Sequence, residues 1–277
     1  MNETLKRAIS GAVYIIILIT SILYSLETFF LLFGVFLLIA VWEFCNLTQI
    51  NKIFPLFLAT ISYGSVSYLQ FHGTQISDNF YTGLLIASLT ISIKCIIFLF
   101  NDAENKIELS SKYLYLLGYV ILPFIILTKI AFGVSGYNPK ILIGIFILIW
   151  TNDTFAYIVG KSIGKHKLLE RISPKKTIEG FLGGMIFCIL AGFLVAKYFI
   201  LGKETAQYIW IGIAIIVSIF GTIGDLVESK FKRIANVKDS GNIMPGHGGI
   251  LDRLDSVIFV APFILLFYHI LNYVTFP

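Results

Sequence analysis

The chain has 277 residues, of which 57% are hydrophobic and only 13% are charged. Soluble domains average about 25% charged residues, so this composition excludes an ordinary soluble enzyme and predicts a protein that crosses the membrane several times. The formal net charge of +5 is modest, and the three cysteines lie in apolar runs without a CxxC spacing. A disulfide framework or a zinc site is therefore not expected.

Nine apolar runs follow one another along the chain, each close to the roughly 20 residues that a helix needs to cross the hydrocarbon core. They lie at residues 8–24, 28–49, 53–70, 81–100, 113–134, 140–159, 177–200, 207–226 and 256–274. We therefore predict an all-α, polytopic integral membrane protein with about nine transmembrane helices. We divide it into an N-terminal region, 1–135, with spans one to five, and a C-terminal region, 136–277, with spans six to nine and polar loops at 160–177 and 227–255.

The basic residues outside these spans are distributed unevenly between the two sides of the membrane. If the N-terminus is cytoplasmic, only Lys140 and Lys203 fall on the opposite side. Because Lys and Arg are enriched in cytoplasmic loops, we predict a multi-pass protein of the cell membrane with a cytoplasmic N-terminus and an extracytoplasmic C-terminus. The first run follows Lys6 and Arg7 without a clear cleavage site, which favours a retained helix over a signal peptide.

The first five spans contain few charged residues at membrane depth, namely Glu43, Lys94 and Lys129. Such residues must face protein or water, because their exposure to lipid is unfavourable. For Glu43 and Lys94 two interpretations remain open: snorkelling or an internal ion pair, and the lining of a cavity.

Residues 150–180 contain the first concentrated polar pattern. Asp153 lies in the sixth span, where a buried carboxylate needs a cation, a hydroxyl or a metal as partner. In the sequence SPKKTIEG, Ser173 is expected to cap a helix that begins with proline. Lys175, Lys176 and Thr177 would then lie at the positive end of a helix dipole, which binds phosphate readily. The lysines nearby also fit a simpler interpretation, attraction to anionic lipid.

Residues 224–256 form the longest polar stretch of the chain. Its acidic residues are Asp225, Glu228, Asp239, Asp252 and Asp255, and its basic residues are Lys230, Lys232, Arg233, Lys238 and Arg253. Divalent cations prefer carboxylate oxygens, whereas phosphates prefer Lys, Arg and backbone N–H groups, so this composition indicates a site for both. Asp225 and Asp252 are placed at the ends of consecutive antiparallel spans joined by one loop, which is expected to bring them together. Asp255 also fits the ordinary preference of helix N-termini for acids.

The pattern S-x-x-K-R-x-x-x-x-K-D-S-x-x-x-x-P-G-H-G-G-x-x-D-R-x-D, at residues 229–255, resembles the signature of the phosphatidate cytidylyltransferases, or CDP-diacylglycerol synthases. The block NDTFAY to SPKKTIEG, at residues 152–180, is similar to a second region of that family. The resemblance covers the C-terminal half in detail, whereas in the N-terminal half it is limited to the succession of apolar spans. It implies an integral membrane enzyme that joins CTP and phosphatidic acid into CDP-diacylglycerol and pyrophosphate at the cytoplasmic membrane edge.

The resemblance also implies a cofactor, partners and residue roles. The cofactor is Mg²⁺, with a second cation left open, and the partners are membrane lipids and a second copy of the chain, with no nucleic acid. Asp225 and Asp252 are predicted to hold the metal, and both are assigned as catalytic together with Ser229, Lys232 and Arg233. The predicted substrate-binding residues are Asp153, Ser173, Lys175, Lys176, Thr177, Lys238, Asp239, His247, Gly248, Gly249, Arg253 and Asp255.

The chemistry of this reaction agrees with the residues present. The phosphate of phosphatidic acid, with a second pKa of about 6, is already largely dianionic at neutral pH and needs no general base. His247 is therefore interpreted not as a base but as a polar loop residue or as a hydrogen-bond donor to a phosphate. Two alternatives remain open: a CTP-dependent lipid-alcohol kinase, which needs a base for its hydroxyl nucleophile, and a membrane transporter, whose acids lie nearer the midplane.

Overall fold

The computed structural model describes residues 3–101, 107–133, 136–200 and 204–275. Within these ranges the chain is almost entirely helical, which confirms the all-α prediction. The α-helices are α1 Glu3–Tyr24, α2 Leu26–Thr48, α3 Ile53–Phe71, α4 Asp78–Phe100, α5 Leu109–Tyr115, α6 Leu122–Ile130, α7 Pro139–Ile163, α8 Ile178–Leu194, α9 Glu204–Ile216, α10 Thr222–Ile234 and α11 Leu251–Thr275.

Three π-helical segments extend or join these helices. They lie at Leu116–Ile121, between α5 and α6, at Val195–Ile200, after α8, and at Val217–Gly221, between α9 and α10. Helical residues therefore run from the start of α9 to the end of α10, well beyond residue 226, the predicted end of the eighth span. This continuation places the first charged residues of the polar stretch on a helix.

Eight helices in the described part of the chain are long and apolar enough to cross a membrane, against nine predicted spans. The predicted span 53–70 corresponds to the 19-residue helix α3, which is not among these eight helices. Pro55 and several serines, tyrosines and other polar residues dilute its apolar character. A short turn separates α3 from α2, and the Tyr63 hydroxyl donates to the Phe30 carbonyl at 3.1 Å. The two helices therefore form an antiparallel pair, so that the chain direction alternates here as the prediction requires.

Two opposite ends of the helical bundle can be distinguished by their contacts. At one end, which we call the charged end, Ser10 Oγ of α1 lies 2.8 Å from Nδ1 of His247, in the loop before α11. At the other end, strands β1 (Phe132–Gly133) and β2 (Gly136–Tyr137) form a short hairpin. There the Tyr137 hydroxyl donates to the Ile22 carbonyl at 2.7 Å. The first helix therefore begins at the charged end.

An aromatic cluster joins the N-terminal helices to α10. Phe231 is only 2% exposed, and its ring centroid lies between 5.0 and 5.9 Å from those of Phe44, Phe98, Tyr115 and Tyr119. Helices in a membrane gain little from apolar burial alone and depend on close packing. This cluster therefore holds the end of α10 in place against α2, α4 and the α5–α6 segment.

Close packing of α7 against α8 sets the position of the next polar element. A Cβ at Gly184 would collide with the Asn152 carbonyl, and one at Gly183 would collide with the Val159 side chain. The small residues of α8 thus let its backbone lie directly on α7. The start of α8 is thereby held beside the part of α7 that carries Asp153.

The segment before α8 is a strand, not the start of a helix. Strands β3 (Lys167–Leu169) and β4 (Ser173–Thr177) form an antiparallel hairpin in which Lys167 pairs with Thr177. The prediction that Ser173 caps a helix is wrong. Thr177 is the N-cap of α8, with its hydroxyl accepting from the Gly180 N–H at 3.1 Å. Pairing with β3 satisfies the backbone of the SPKKT segment in an extended form.

Candidate active site

A cavity of about 710 Å³ opens at the charged end. Its walls come from α7, the β3–β4 hairpin, the start of α8, α10, α11 and the loop between these last two helices. The acidic residues of the lining are Asp153, Asp225, Glu228, Asp239, Asp252 and Asp255. The basic residues of the lining are Lys161, Lys167, Lys175, Lys176, Lys232 and Arg253. Both polar stretches recognised in the sequence therefore meet in one cavity.

Asp225, on the first turn of α10, links that helix to the hairpin. One of its oxygens lies 2.7 Å from Nζ of Lys176, and the other accepts from the Ser229 hydroxyl at 3.2 Å. The side chains of Asp225 and Lys176 remain 37% and 26% exposed. This ion pair is therefore accessible from the cavity, and a phosphate or a metal can compete for either partner.

Lys232 lies between two carboxylates. Its Nζ is 2.6 Å from Oε2 of Glu228, one turn earlier on α10, and 2.7 Å from Oδ1 of Asp252, on α11. All three side chains are nearly buried, which makes their mutual pairing strong and the loss of one partner unfavourable. Lys232 therefore joins α10 to α11 in the structure; its predicted contact with phosphate stays a prediction.

Asp252 also organises the loop that precedes α11. Its Oδ2 accepts from the Ser240 N–H at 2.8 Å, the Ser240 hydroxyl at 2.9 Å and the Gly249 N–H at 2.7 Å. Next to it, Gly248 has φ = +87°, a conformation that favours glycine, and a Cβ there would collide with Asp252. The Gly249 N–H is thus already paired with a protein group. The predicted metal binding by Asp252 stays a prediction, and the structure adds this second role.

Other acids of the cavity have few partners. Oε1 of Glu228 is buried and, within the described residues, accepts no hydrogen bond. Asp255 is 8% exposed and accepts from the N–H of the next residue, Ser256, at 2.6 Å. Among the residues that the structure describes, Asp153 receives a long contact of 3.5 Å from the Asn152 amide. A buried carboxylate oxygen without a hydrogen-bond donor or a cation beside it is unfavourable.

The acids share the cavity without forming a complete metal-binding cluster. Over the described ranges, no group of three or more His, Cys, Asp and Glu side chains is already arranged to hold a metal ion. The unpaired Glu228 oxygen and the carboxylates around it nevertheless provide the donor type that Mg²⁺ prefers. The residues present therefore fit a divalent cation by their chemistry.

His247 lies outside the main cavity. It lines a smaller cavity of about 200 Å³, which shares Asp153, Asp252, Arg253, Asp255 and Ser256 with the main one. Burial lowers the pKa of His247 below its usual value, and the positive charges of Arg253 and Arg7 lower it further. The ring is therefore neutral at neutral pH and holds Ser10 of α1 to the loop.

The cavity brings together ten of the residues that the sequence singled out. They are Asp153, Lys175, Lys176, Thr177, Asp225, Lys232, Asp239, Asp252, Arg253 and Asp255. Its lining does not include Ser173, Ser229, Arg233, Lys238, His247, Gly248 and Gly249. Among these, Arg233 donates to the carbonyls of Ile172 and Val237, both at 3.3 Å. It therefore ties the hairpin to the end of α10.

Two carboxylates of this region were not assigned to the site from the sequence. The sequence shows Glu228 as an acid three residues after Asp225, but Glu228 was not among the predicted catalytic, substrate-binding or metal-binding residues. For Glu43 the sequence left open snorkelling or an internal ion pair, and the lining of a cavity. The structure places its carboxylate against the start of α11, with the Leu251 N–H donating to it at 2.8 Å. That contact joins residues 208 positions apart, so that no local sequence pattern predicts it.

Comparison with known proteins agrees with these observations. A family model described as "Cytidylyltransferase family" matches residues 5–271. The chain is similar to proteins named phosphatidate cytidylyltransferase from Staphylococcus aureus (strain COL), with 56% identity over 119 residues, and from Bacillus subtilis (strain 168), with 50% identity over 119 residues. The aligned stretch spans 42% and 43% of this chain and 44% and 43% of the two relatives.

The family match extends over nearly all of the chain, whereas each of the closer alignments spans less than half of it. The shared region thus reaches well beyond the polar signature and includes the helices that position it. On this basis the chain belongs to the cytidylyltransferase family.

Proposed function

We propose that this protein transfers the cytidylyl group of CTP to phosphatidic acid, releasing pyrophosphate and forming CDP-diacylglycerol. The observation that supports this most directly is the single cavity in which six acids and six bases face one another at one end of a membrane bundle. Such a lining suits two polyanionic substrates and the cation that accompanies them. The names of the similar proteins point to the same reaction.

The proposed step requires positioning and charge neutralisation rather than proton transfer. A phosphate oxygen of phosphatidic acid bonds to the α-phosphorus of CTP. The bond from that phosphorus to the oxygen shared with the β-phosphorus breaks, and its electron pair leaves with pyrophosphate. Because the attacking oxygen is already anionic, no general base is needed. The chain's contribution is to hold two anions in line and to offset their repulsion.

Four of the six basic lining residues fall into two groups. Lys167, Lys175 and Lys176 come from the β3–β4 hairpin, and we assign them to the phosphates of the nucleotide. Arg253 lies on α11 and borders both cavities, and we assign it to the phosphate of the lipid. This assignment gives the two phosphate groups contacts from different elements of one cavity, so that both can bind there together.

The proposed metal ligands remain Asp225 and Asp252, with Asp153, Asp255 and Glu228 as neighbouring carboxylates. Both proposed ligands already bind a cationic group, Lys176 and Lys232 respectively, which supports their affinity for positive charge. When bound, Mg²⁺ would neutralise and orient phosphate oxygens. A carboxylate that exchanges Lys176 for the metal would free that ammonium to contact phosphate.

For the membrane arrangement we propose a cytoplasmic N-terminus. The support is that the start of α1 lies at the charged end, beside the loop that carries His247, and that the basic lining residues lie at the same end. This end then faces the compartment that supplies CTP. The dimer and the absence of a nucleic-acid partner, both implied by the resemblance, stay predictions.

The proposed activity is tested with purified protein in mixed micelles containing phosphatidic acid, CTP labelled at its α-phosphorus, and Mg²⁺. We expect one labelled CDP-lipid and one pyrophosphate for each CTP consumed. Formation of labelled CDP without pyrophosphate would indicate a lipid-alcohol kinase instead. No consumption of CTP by folded protein, with any phosphatidic acid, would contradict both enzymes and favour transport.

A further inference from the structure

A carboxylate from the N-terminal half of the chain reaches the loop before α11. Glu43 lies near the end of α2 and is only 2% exposed. Its Oε1 accepts from the Ile250 N–H at 3.2 Å, and its Oε2 accepts from the Leu251 N–H at 2.8 Å and lies 3.2 Å from the Ser240 hydroxyl. Its backbone donors in the described part of the chain are therefore two consecutive N–H groups, where the loop enters α11.

These donors are the groups that a helix leaves unsatisfied at its start. The first N–H groups of α11 have no partner within the helix, and the helix dipole makes this end positive. A capping residue of the same segment normally satisfies them, but here the cap comes from another helix. Glu43 therefore satisfies backbone N–H groups at the point where α11 begins.

Close contacts show that this fit is tight. A Cβ at Gly241 or at Gly249 would collide with the Glu43 carboxylate. The Ser240 hydroxyl lies within hydrogen-bond distance of both Glu43 Oε2 and Asp252 Oδ2, at 3.2 and 2.9 Å. Glu43 and Asp252 thus hold the same loop from its two sides.

We propose that Glu43 is a positioning residue for the reaction, one that holds the start of α11 so that Asp252 faces Lys232 and the cavity. The proposal rests on the proposed function for its catalytic consequence, but not for the anchoring itself. Asp252 lies one residue beyond the Leu251 N–H that Glu43 accepts. Release of that N–H would therefore displace a proposed metal ligand while the nucleotide contacts on the β3–β4 hairpin stay in place.

The test compares the wild type with Glu43→Gln and Glu43→Asp. Glutamine has the same shape but turns an N–H₂ group toward donors, whereas aspartate keeps the charge and falls short of them. Amide hydrogen exchange should become at least about tenfold faster in residues 249–252 of both variants and stay unchanged in α7 and α8. The Mg²⁺ concentration for half-maximal rate should rise at least about threefold, a change that a mere loss of folded protein does not produce. The smaller rise is expected in Glu43→Asp.

Glu27→Gln is the matched control, since it neutralises the acid at the other end of the same helix, α2. It should leave both measurements unchanged. Unchanged exchange at 249–252, faster exchange throughout the protein, or an unchanged Mg²⁺ requirement would each overturn the proposal. If Glu43→Gln does not fold, Glu43→Asp carries the same comparison. The exchange measurement does not depend on turnover, so a failure of the proposed function shows separately, as a wild type that forms no CDP-lipid.

Discussion

At the scale of single residues, the pair Asp225 and Lys176 illustrates how the site uses charge. The two side chains come from α10 and β4, lie 2.7 Å apart, and remain partly exposed to the cavity. An exposed ion pair contributes little to stability, about 0–1 kcal/mol. Its presence in the lining of the polar cavity is therefore better explained by ligand binding than by folding.

We predict that Asp225→Asn lowers the turnover rate by about 100-fold or more, the order of magnitude expected for loss of one preorganised electrostatic contact. The protein should stay folded, because the amide keeps the shape and the Ser229 contact. The rate of CDP-lipid formation across a range of Mg²⁺ concentrations gives the measurement. Ser229→Ala, which removes the hydroxyl that donates to Asp225, serves as the comparison and should lower the turnover rate less. Near-normal turnover of Asp225→Asn at every Mg²⁺ concentration would exclude Asp225 as a metal ligand.

At the scale of elements, the β3–β4 hairpin changes how the lysines of SPKKTIEG reach the cavity. They lie on a strand, where successive side chains alternate in direction, and not at a helix N-terminus. The capping role belongs to Thr177, whose hydroxyl accepts from Gly180. The hairpin, rather than the helix dipole, thus supplies the basic wall.

This assignment predicts a difference between two alanine variants. Thr177→Ala removes the cap of α8 and should lower the free energy of unfolding by about 0.5–2 kcal/mol. Ser173→Ala, at the other end of β4, should change it by less than about 0.5 kcal/mol. Thermal unfolding in one detergent measures both. Equal destabilisation by the two variants, or a larger effect of Ser173→Ala, would contradict the observed cap.

The same elements show what the sequence can and cannot predict. Asp153 and Asp225 could be identified because charges stand out in apolar spans, and Lys176 because it lies in the polar segment SPKKTIEG; the cavity lining contains all three. The β3–β4 hairpin could not be identified from the sequence. A serine before proline is also typical of a helix start, and a strand of five residues is too short to show a clear alternation of polar and apolar side chains. The anchoring role of Glu43 depends on how α2 packs against α11, which local sequence does not encode.

At the scale of the whole molecule, the charged end gathers the start of α1, the cavity and the loop before α11. By the positive-inside rule, the uneven distribution of Lys and Arg predicts a cytoplasmic location for this end. Asn242 and Ser162 lie at this end, and Ser77 lies just before α4 at the other; all three are exposed. The three native cysteines are buried, so that introduced cysteines can report the orientation.

We predict that Asn242→Cys and Ser162→Cys resist a membrane-impermeant thiol reagent in intact cells and react after permeabilisation. Ser77→Cys should react at once, because it lies on the outer side in the proposed arrangement. Labelling is read from the mass of the purified protein, with the wild type as the background. Reaction of Asn242→Cys in intact cells would invert the arrangement and place the cavity away from cellular CTP.

The aromatic cluster around Phe231 has a consequence for how this protein can vary among organisms. Four rings from the N-terminal half surround Phe231 and hold the helix that carries Asp225, Glu228 and Lys232. They take no part in the proposed chemistry, so we expect selection there to act on side-chain volume more than on residue identity. Substitutions at Phe44, Phe98, Tyr115 and Tyr119 should therefore compensate one another in size, and the N-terminal half can diverge in sequence while still supporting the same reaction.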